Sequence, residues 1–193
     1  MRECCNFFIK LYKVFEGLAT HLSIMKTSKH IVFFLFCISS FCFYAQSAKE
    51  YYTSGNLKYK LKDYRGAMVD YDLAIGLNPK YLEAYNERGF SKDQISDFAG
   101  AVDDFTKAIG LGGGSAETYY NRGFAKDEML EYKGAEQDYT KAISLNPKFG
   151  KAYFNRGIAK NNLQDKKGAC ADWTKAGELG YMEAYDLKSK YCN

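Results

Sequence analysis

Histidine occurs only twice in the 193 residues, as His21 and His30; proline also occurs twice, and tryptophan once. Two prolines and a mean hydropathy of −0.41 exclude a collagen, a proline-rich linker and a multi-span membrane protein. A net charge of +4 is too small to indicate nucleic-acid binding without a local basic stripe, and none is present. Beyond residue 45 there is no histidine at all. That removes the usual general base, the usual zinc ligand and the common serine or cysteine triads. The glycine run Gly112-Gly113-Gly114 lacks the Lys and Ser/Thr of a phosphate loop. Asp103 and Asp104 are adjacent on a helix and point apart, as a solvated face rather than a carboxylate dyad. No catalytic residue, metal site or cofactor is expected. Hydrophobic residues at 47% and charged residues at 26% exclude wholesale disorder. What stands out is 17 Tyr, 14 Phe and 17 Gly.

Residues 31–44 form an uncharged, mostly apolar run of 14, short of the ~20 that a helix needs to cross a bilayer. Lys26, Lys29 and His30 precede it and Ala45-Gln46-Ser47 follows. Positive flank, apolar run and small residue is the order of an export signal. The expectation is a signal peptide over 25–45, starting at Met25 and cleaved after Ala45, with 1–24 a non-native upstream extension. The alternative is an uncleaved membrane anchor, the one membrane contact foreseen. The exported chain would be periplasmic or extracellular, with association to the envelope as a further option. It would carry 22 basic and 21 acidic residues, and would keep only Cys170 and Cys192 of six cysteines.

Shifted by 34 residues, the chain matches itself. Tyr85-Asn86-Glu87-Arg88-Gly89-Phe90 aligns with Tyr119-Tyr120-Asn121-Arg122-Gly123-Phe124 and with Tyr153-Phe154-Asn155-Arg156-Gly157-Ile158. A more divergent copy starts at Tyr51-Tyr52-Thr53-Ser54-Gly55. Gly66-Ala67, Gly100-Ala101, Gly134-Ala135 and Gly168-Ala169 keep the same step. So do Tyr71, Phe105, Tyr139 and Trp173. Four copies result, 48–81, 82–115, 116–149 and 150–183, with a tail over 184–193. Each copy holds two helical segments, as in Ala116–Met129 and Tyr132–Ser144. Asp63, Asp97 and Asp165 suit helix N-caps better than Glu131 does. Asn78-Pro79 and Asn146-Pro147 stop second helices. Loops this short make neighbouring helices antiparallel.

Gly55, Gly89, Gly123 and Gly157 fall inside helices, at about 1 kcal/mol each relative to alanine. Their recurrence predicts a partner helix too close for a side chain. Ala67, Ala101, Ala135 and Ala169 supply its small surface, and the aromatics fill the adjoining space. Charges recur too. Asp70, Asp104, Asp138 and Asp172 are followed eighteen residues later by Arg88, Arg122, Arg156 and Lys190. A forward ladder between units is expected, with pairing inside a unit, such as Arg88 with Asp104, as the alternative.

The pattern Tyr51, Gly55, Ala67, Tyr71, Ala74, Pro79 and its counterparts resembles the tetratricopeptide repeat, a helix–turn–helix unit of 34 residues. The resemblance covers 48–183. Three features depart from it. Arg88, Arg122 and Arg156 stand where the family usually has leucine. Lys58, Lys92, Lys126 and Lys160 stand where it usually has tyrosine. Gly112-Gly113-Gly114 replaces an Asn-Pro turn. The resemblance implies an all-α fold, an α-solenoid of four helix–turn–helix repeats, closed by a C-terminal capping helix. In that cap, Met182, Tyr185 and Leu187 are expected to pack. If the cap folds back on the preceding helix, Cys170 and Cys192 can form a disulfide in an oxidising compartment; two free thiols are the alternative.

The resemblance also implies a concave groove lined by first helices. Its residues would be Tyr52 and Asn56; Asn86 and Phe90; Tyr120, Asn121 and Phe124; and Phe154, Asn155 and Ile158. Aromatic surface interleaved with Asn amides suits a peptide or protein partner. Several of these residues, Phe90, Phe124 and Ile158 first, would alternatively serve packing between units. Asn56, Asn121, Asn155 and Lys151 resemble part of a carboxylate clamp, but Tyr52, Glu87, Asp93, Asp127 and Glu128 favour a basic or neutral apolar peptide. The expected function is a non-enzymatic interaction scaffold, with no small-molecule substrate and no nucleic acid. The alternative is a self-associating module whose groove is filled by its own chain.

Overall fold

The computed structural model describes residues 47–192. The expected leader, 25–45, and the extension before it lie outside these residues. Among the described residues there are nine helices and no strand. They are α1 (Ala48–Lys60), α2 (Tyr64–Leu77), α3 (Leu82–Gln94), α4 (Phe98–Gly110), α5 (Ala116–Glu128), α6 (Tyr132–Leu145), α7 (Gly150–Asn162), α8 (Lys166–Glu178) and α9 (Glu183–Tyr191). Each helix packs on the next, and the odd-numbered helices α1, α3, α5 and α7 also touch in succession. The result is a solenoid of helix pairs whose first helices line one continuous face.

Local chemistry sets the element ends. Asp63, Asp97 and Asp165 accept from the amides of Gly66, Gly100 and Gly168 at 2.9, 3.1 and 2.9 Å. Glu131, one methylene longer, caps nothing with its side chain. Ser47 and Glu50 form a reciprocal capping box on α1. Asn78 and Asn146 end α2 and α6, and their side chains accept from the amides of Lys80 and Lys148. The α1, α3, α5 and α7 ends share a feature that residue type does not announce. Lys62, Ser96, Leu130 and Gln164 sit in the left-handed region, with φ of 62–67°. In the glycine run, Gly112 has φ +99°, and a Cβ on Gly113 would lie 2.7 Å from Leu82. Glycine there is a turn former that also admits a close approach.

Second-helix aromatics fill the core. Tyr71, Phe105 and Tyr139 are fully buried and Trp173 nearly so, among Ala67, Ala101, Ala135 and Ala169. The mid-helix glycines make room for these rings rather than for a neighbouring backbone. A Cβ on Gly55 would lie 2.6 Å from the Tyr71 ring, one on Gly89 2.9 Å from Phe105, and one on Gly157 2.6 Å from the Trp173 indole. The cost of glycine in a helix is therefore offset by a large aromatic packed closely against it.

The forward ladder is not formed. Arg88 instead grips Asp104 of its own unit, Nε to Oδ2 at 2.8 Å and Nη2 to Oδ1 at 2.5 Å. Arg122 holds Asp138 and Arg156 holds Asp172 in the same fork. A lysine one turn on shares each carboxylate: Lys92 at 2.9 Å, Lys126 at 2.8 Å and Lys160 at 2.9 Å. In the first unit Ser54 and Lys58 clamp Asp70. The two departures from the family pattern thus explain each other, since Arg and Lys four residues apart share a helix face and close on one buried aspartate. Units are still tied together, through the remaining guanidinium nitrogen. It donates backward to Asp72, Thr106 and Thr140 from Arg88, Arg122 and Arg156. Asp172 is taken by Arg156 and Lys160, so Lys190 is not its partner.

The cap α9 lies on α8, and Cys170 is disulfide-bonded to Cys192 with Cα atoms 5.8 Å apart. Its packing differs from the expectation. Ala184 is the buried residue, Leu187 joins the Trp173 cluster, and Met182 is 66% exposed. Tyr185 is 44% exposed, and its ring lies close against Gly177.

Candidate functional site

The face made by α1, α3, α5 and α7 carries the residues singled out from the sequence. Their surroundings divide them. Tyr52 is half-buried and packs its ring on Tyr71 and, at 5.0 Å between centroids, on Tyr81. Tyr120 repeats this with Tyr139 and Phe149, and Phe154 packs on Tyr181. Tyr120 and Asn155 are buried and bonded to each other, the Asn155 amide donating to the Tyr120 hydroxyl at 2.8 Å. They form the floor of the face. Phe90 stands edge-on to Phe105, and Phe154 and Ile158 join the Trp173 cluster. These three face inward as well as out. Asn56 accepts from the Tyr71 hydroxyl at 2.8 Å. Asn121 and Phe124 are half-buried.

The aromatic ladder has a gap. The second unit has Asn86 instead of a ring, and Ser115, the α5 cap, stands where the first and third units have Tyr81 and Phe149. Asn86 Oδ1 is buried without a hydrogen-bond partner. Two carboxylate oxygens share that condition, Oδ1 of Asp93 and Oδ1 of Asp127. Both aspartates lie in the last turn of a first helix, α3 and α5. Burial, then Glu128, pushes Asp127 up to about 6. Burial also raises Asp93, the Gln94 hydrogen bond opposes this, Glu128 adds to it, and Lys151 works against it. Burial raises Glu87 as well. Lys151 stands over the Tyr120 ring, 5.1 Å from its centroid. Among the described residues no group of three His, Cys, Asp or Glu side chains is arranged to hold a metal ion.

Tetratricopeptide repeat models match residues 48–81 and 116–149. The solved tetratricopeptide repeat domain of Arabidopsis OM64 is 34% identical, with 57% of this chain covering 93% of that one, at a TM-score of 0.55. The chain belongs to the tetratricopeptide repeat family. The crystal structure of MamA is 26% identical over 72% of this chain and 81% of its own, at a TM-score of 0.67. YrrB, described as a tetratricopeptide repeat protein with an unusual peptide-binding site, shares the fold at 22% identity, 77% coverage of each chain and a TM-score of 0.68. No curated protein matches.

Within this tetratricopeptide repeat solenoid, one functional feature escapes a reading of the sequence. It is the second-helix hydroxyl. Tyr71 reaches the groove side and finds Asn56, but the matching position in the third unit is Phe124. Tyr139, fully buried, finds no acceptor on α5 and has Asn155 of the next unit as the polar neighbour of its hydroxyl, outside hydrogen-bond geometry. Position-by-position comparison of the copies carries the signal, because Asn against Phe at that place decides whether the hydroxyl is satisfied.

Proposed function

We propose that this tetratricopeptide repeat protein is an exported, non-enzymatic scaffold that binds an extended peptide segment of a protein partner along the face of its first helices. The observation that carries this is the groove itself, with ring pairs at Tyr52, Tyr120 and Phe154 separated by polar groups whose hydrogen-bonding capacity is unused. Aromatic rings alternating with amide side chains along this face suit the apolar side chains and the backbone of an extended peptide. The peptide-binding site named for YrrB supports the same use of the fold. Export is supported by the apolar run 31–44 with its basic flank, and a disulfide between Cys170 and Cys192 suits an oxidising compartment.

A photo-crosslinking residue placed at Asn121, on the groove, and another at Lys107, exposed on α4, test the reading in the producing cells. Adducts from position 121 alone support it. Adducts from position 107 alone overturn it. The N-terminus of the mature protein, read by mass spectrometry, tests export, and a start at Met1 or Met25 overturns cleavage after Ala45.

Self-association is a second reading, favoured by one observation. The first unit exposes Val69, Leu73 and Leu77 at 57%, 44% and 58% along one side of α2. The positions matching Val69 and Leu73 in α4 are Asp103 and Lys107. Light scattering on the purified chain separates a monomer from a copy docked on that stripe.

A further inference from the structure

We propose that the two ends of the solenoid are complementary docking surfaces, so that a second copy of this chain seats its cap, α9, on the outer side of α1. This goes beyond the reading of the first-helix face as a peptide groove and does not depend on it. The starting observation is one position in the repeat. Ser91, Ala125 and Ala159, on α3, α5 and α7, are fully buried. Ala125 packs with Ala101 and Phe105 of the unit before it, and Ala159 with Ala135 and Tyr139 of the unit before it. That side of a first helix is therefore the side on which the preceding unit stacks. In α1 the same position is Leu57, 61% exposed, and Leu61, one turn on, is 72% exposed. A bulky apolar side chain thus stands on the open end of the array, where the other copies keep a small residue against a neighbour.

The other end is apolar too, in the opposite electrostatic setting. In α9, Ala184 and Leu187 pack toward α8, while Met182, Tyr185 and Asp186 are left exposed. Glu183 and Asp186, in the first turn of the cap, are exposed and hold no ion pair among the described residues. At the α1 end, Lys60, Lys62 and Arg65 are exposed and equally unpaired. The remaining charges nearby are engaged: Lys58 with Asp70, Asp63 with the Gly66 amide, and Glu178 with Lys175. One end therefore offers leucines in a basic frame, and the other offers Met182 and Tyr185 in an acidic one. Like frames repel and unlike frames attract, which selects head against cap over head against head. Neighbouring helices in this fold run antiparallel. The same crossing between copies lays the acidic first turn of α9 on the basic last turn of α1. Because the two surfaces differ, the contact is heterologous and copies add in a line. The first-helix face stays open, so assembly and peptide binding are separable.

The test is light scattering on the protein as its producing cells process it, from about 5 to about 500 µM, the range of a small interface. The mass is expected to rise with concentration above that of one chain. L57S/L61S blocks the head and E183K/D186K blocks the cap, both at exposed positions. Each is expected to weaken association about ten-fold or more, the usual effect of losing a buried leucine or a complementary charge pair. Mixed together, the two variants are expected to form a 1:1 pair and nothing larger, because one intact cap meets one intact head. If either variant loses its helical circular dichroism, L57S or D186N takes its place. A mass of one chain at every concentration overturns the proposal. Undiminished association of E183K/D186K overturns it in favour of head-to-head contact, and undiminished association of L57S/L61S in favour of cap-to-cap contact. Undiminished association of both overturns it in favour of a copy docked on Val69, Leu73 and Leu77 or in the groove.

Discussion

Aspartate appears in two settings in this solenoid, and they are built in opposite ways. Asp104, Asp138 and Asp172, on second helices, are at most 4% exposed, and each is held by an arginine fork and a lysine. Burial lowers the basicity of the Arg88 guanidinium, but its hydrogen bonds and charge contacts with Asp104 and Asp72 outweigh that and raise it well above an ordinary arginine. Asp93 and Asp127, on first helices, have no cation on their buried oxygens. One set closes units and ties each to the one before. The other leaves hydrogen-bonding capacity unused on the face where a partner would lie. The contrast teaches that the residue type does not separate structure from function here; the completeness of its partners does.

Removing the carboxylate at each setting is the strongest way to break that comparison. Asp138→Ala strands Arg122 and Lys126 and is expected to cost about 3–5 kcal/mol in urea unfolding. Asp127→Asn is expected to leave stability unchanged or to raise it, because it removes a half-buried charge with no cation partner. Equal losses from the two changes would erase the distinction drawn above. A smaller effect is expected where a ring covers a glycine. Gly157→Ala puts a Cβ 2.6 Å from the Trp173 indole, whereas Gly123→Ala meets Tyr139 at 3.0 Å. Overpacking of this kind costs about 1–3 kcal/mol, so thermal denaturation should rank the Gly157 variant below the Gly123 one.

The same comparison can be sharpened with pH. Asp127, raised from 3.8 to about 6, favours its protonated form in the fold. Its contribution to stability is therefore fully present below pH 3.8 and lost as pH rises through about 6. Asp93 and Glu87 act in the same direction, while Lys151 opposes the shift at Asp93. The free chain is expected to melt higher at pH 5.5 than at pH 7.5 by a few degrees at most, since the group is only half-buried. D127N should flatten this trend. A melting temperature that falls with acid in the same window would contradict the assignment.

Much of this architecture is legible in the sequence for a physical reason. A 34-residue step repeated four times fixes which residues must be equivalent, and Asp63, Asp97 and Asp165 or Asn78 and Asn146 then declare the helix ends. The glycines announce a close approach, but what fills it is a ring, because Tyr71, Phe105 and Trp173 sit sixteen residues after Gly55, Gly89 and Gly157 on the facing helix. The charge ladder is not legible from spacing alone. Asp70 to Arg88 and Arg88 to Asp104 recur equally well. Only the helix face chooses, and Lys92, four residues after Arg88, is the clue that both cations converge on Asp104. The groove aspartates can be seen to be acidic but not to be unpartnered. That depends on what each neighbouring unit offers, and the sequence of one repeat does not contain it.

The smallest expected effect concerns the turns between paired helices, which the fold uses without the residue that suits them. Leu130 has φ 62° and is 69% exposed. Its amide donates to Asp127 O at 2.8 Å, and the Glu131 amide donates to Lys126 O at 2.8 Å, the paired bonds of a left-handed helix cap. A branched side chain in that region crowds its own backbone, and glycine does not. Leu130→Gly should therefore stabilise the third unit by about 0.5–1 kcal/mol, net of the extra freedom that glycine gives the unfolded chain. A gain in unfolding free energy means that the backbone strain at Leu130 outweighs the contacts of its side chain. A loss of stability would mean that the exposed leucine contributes contacts that outweigh its backbone strain.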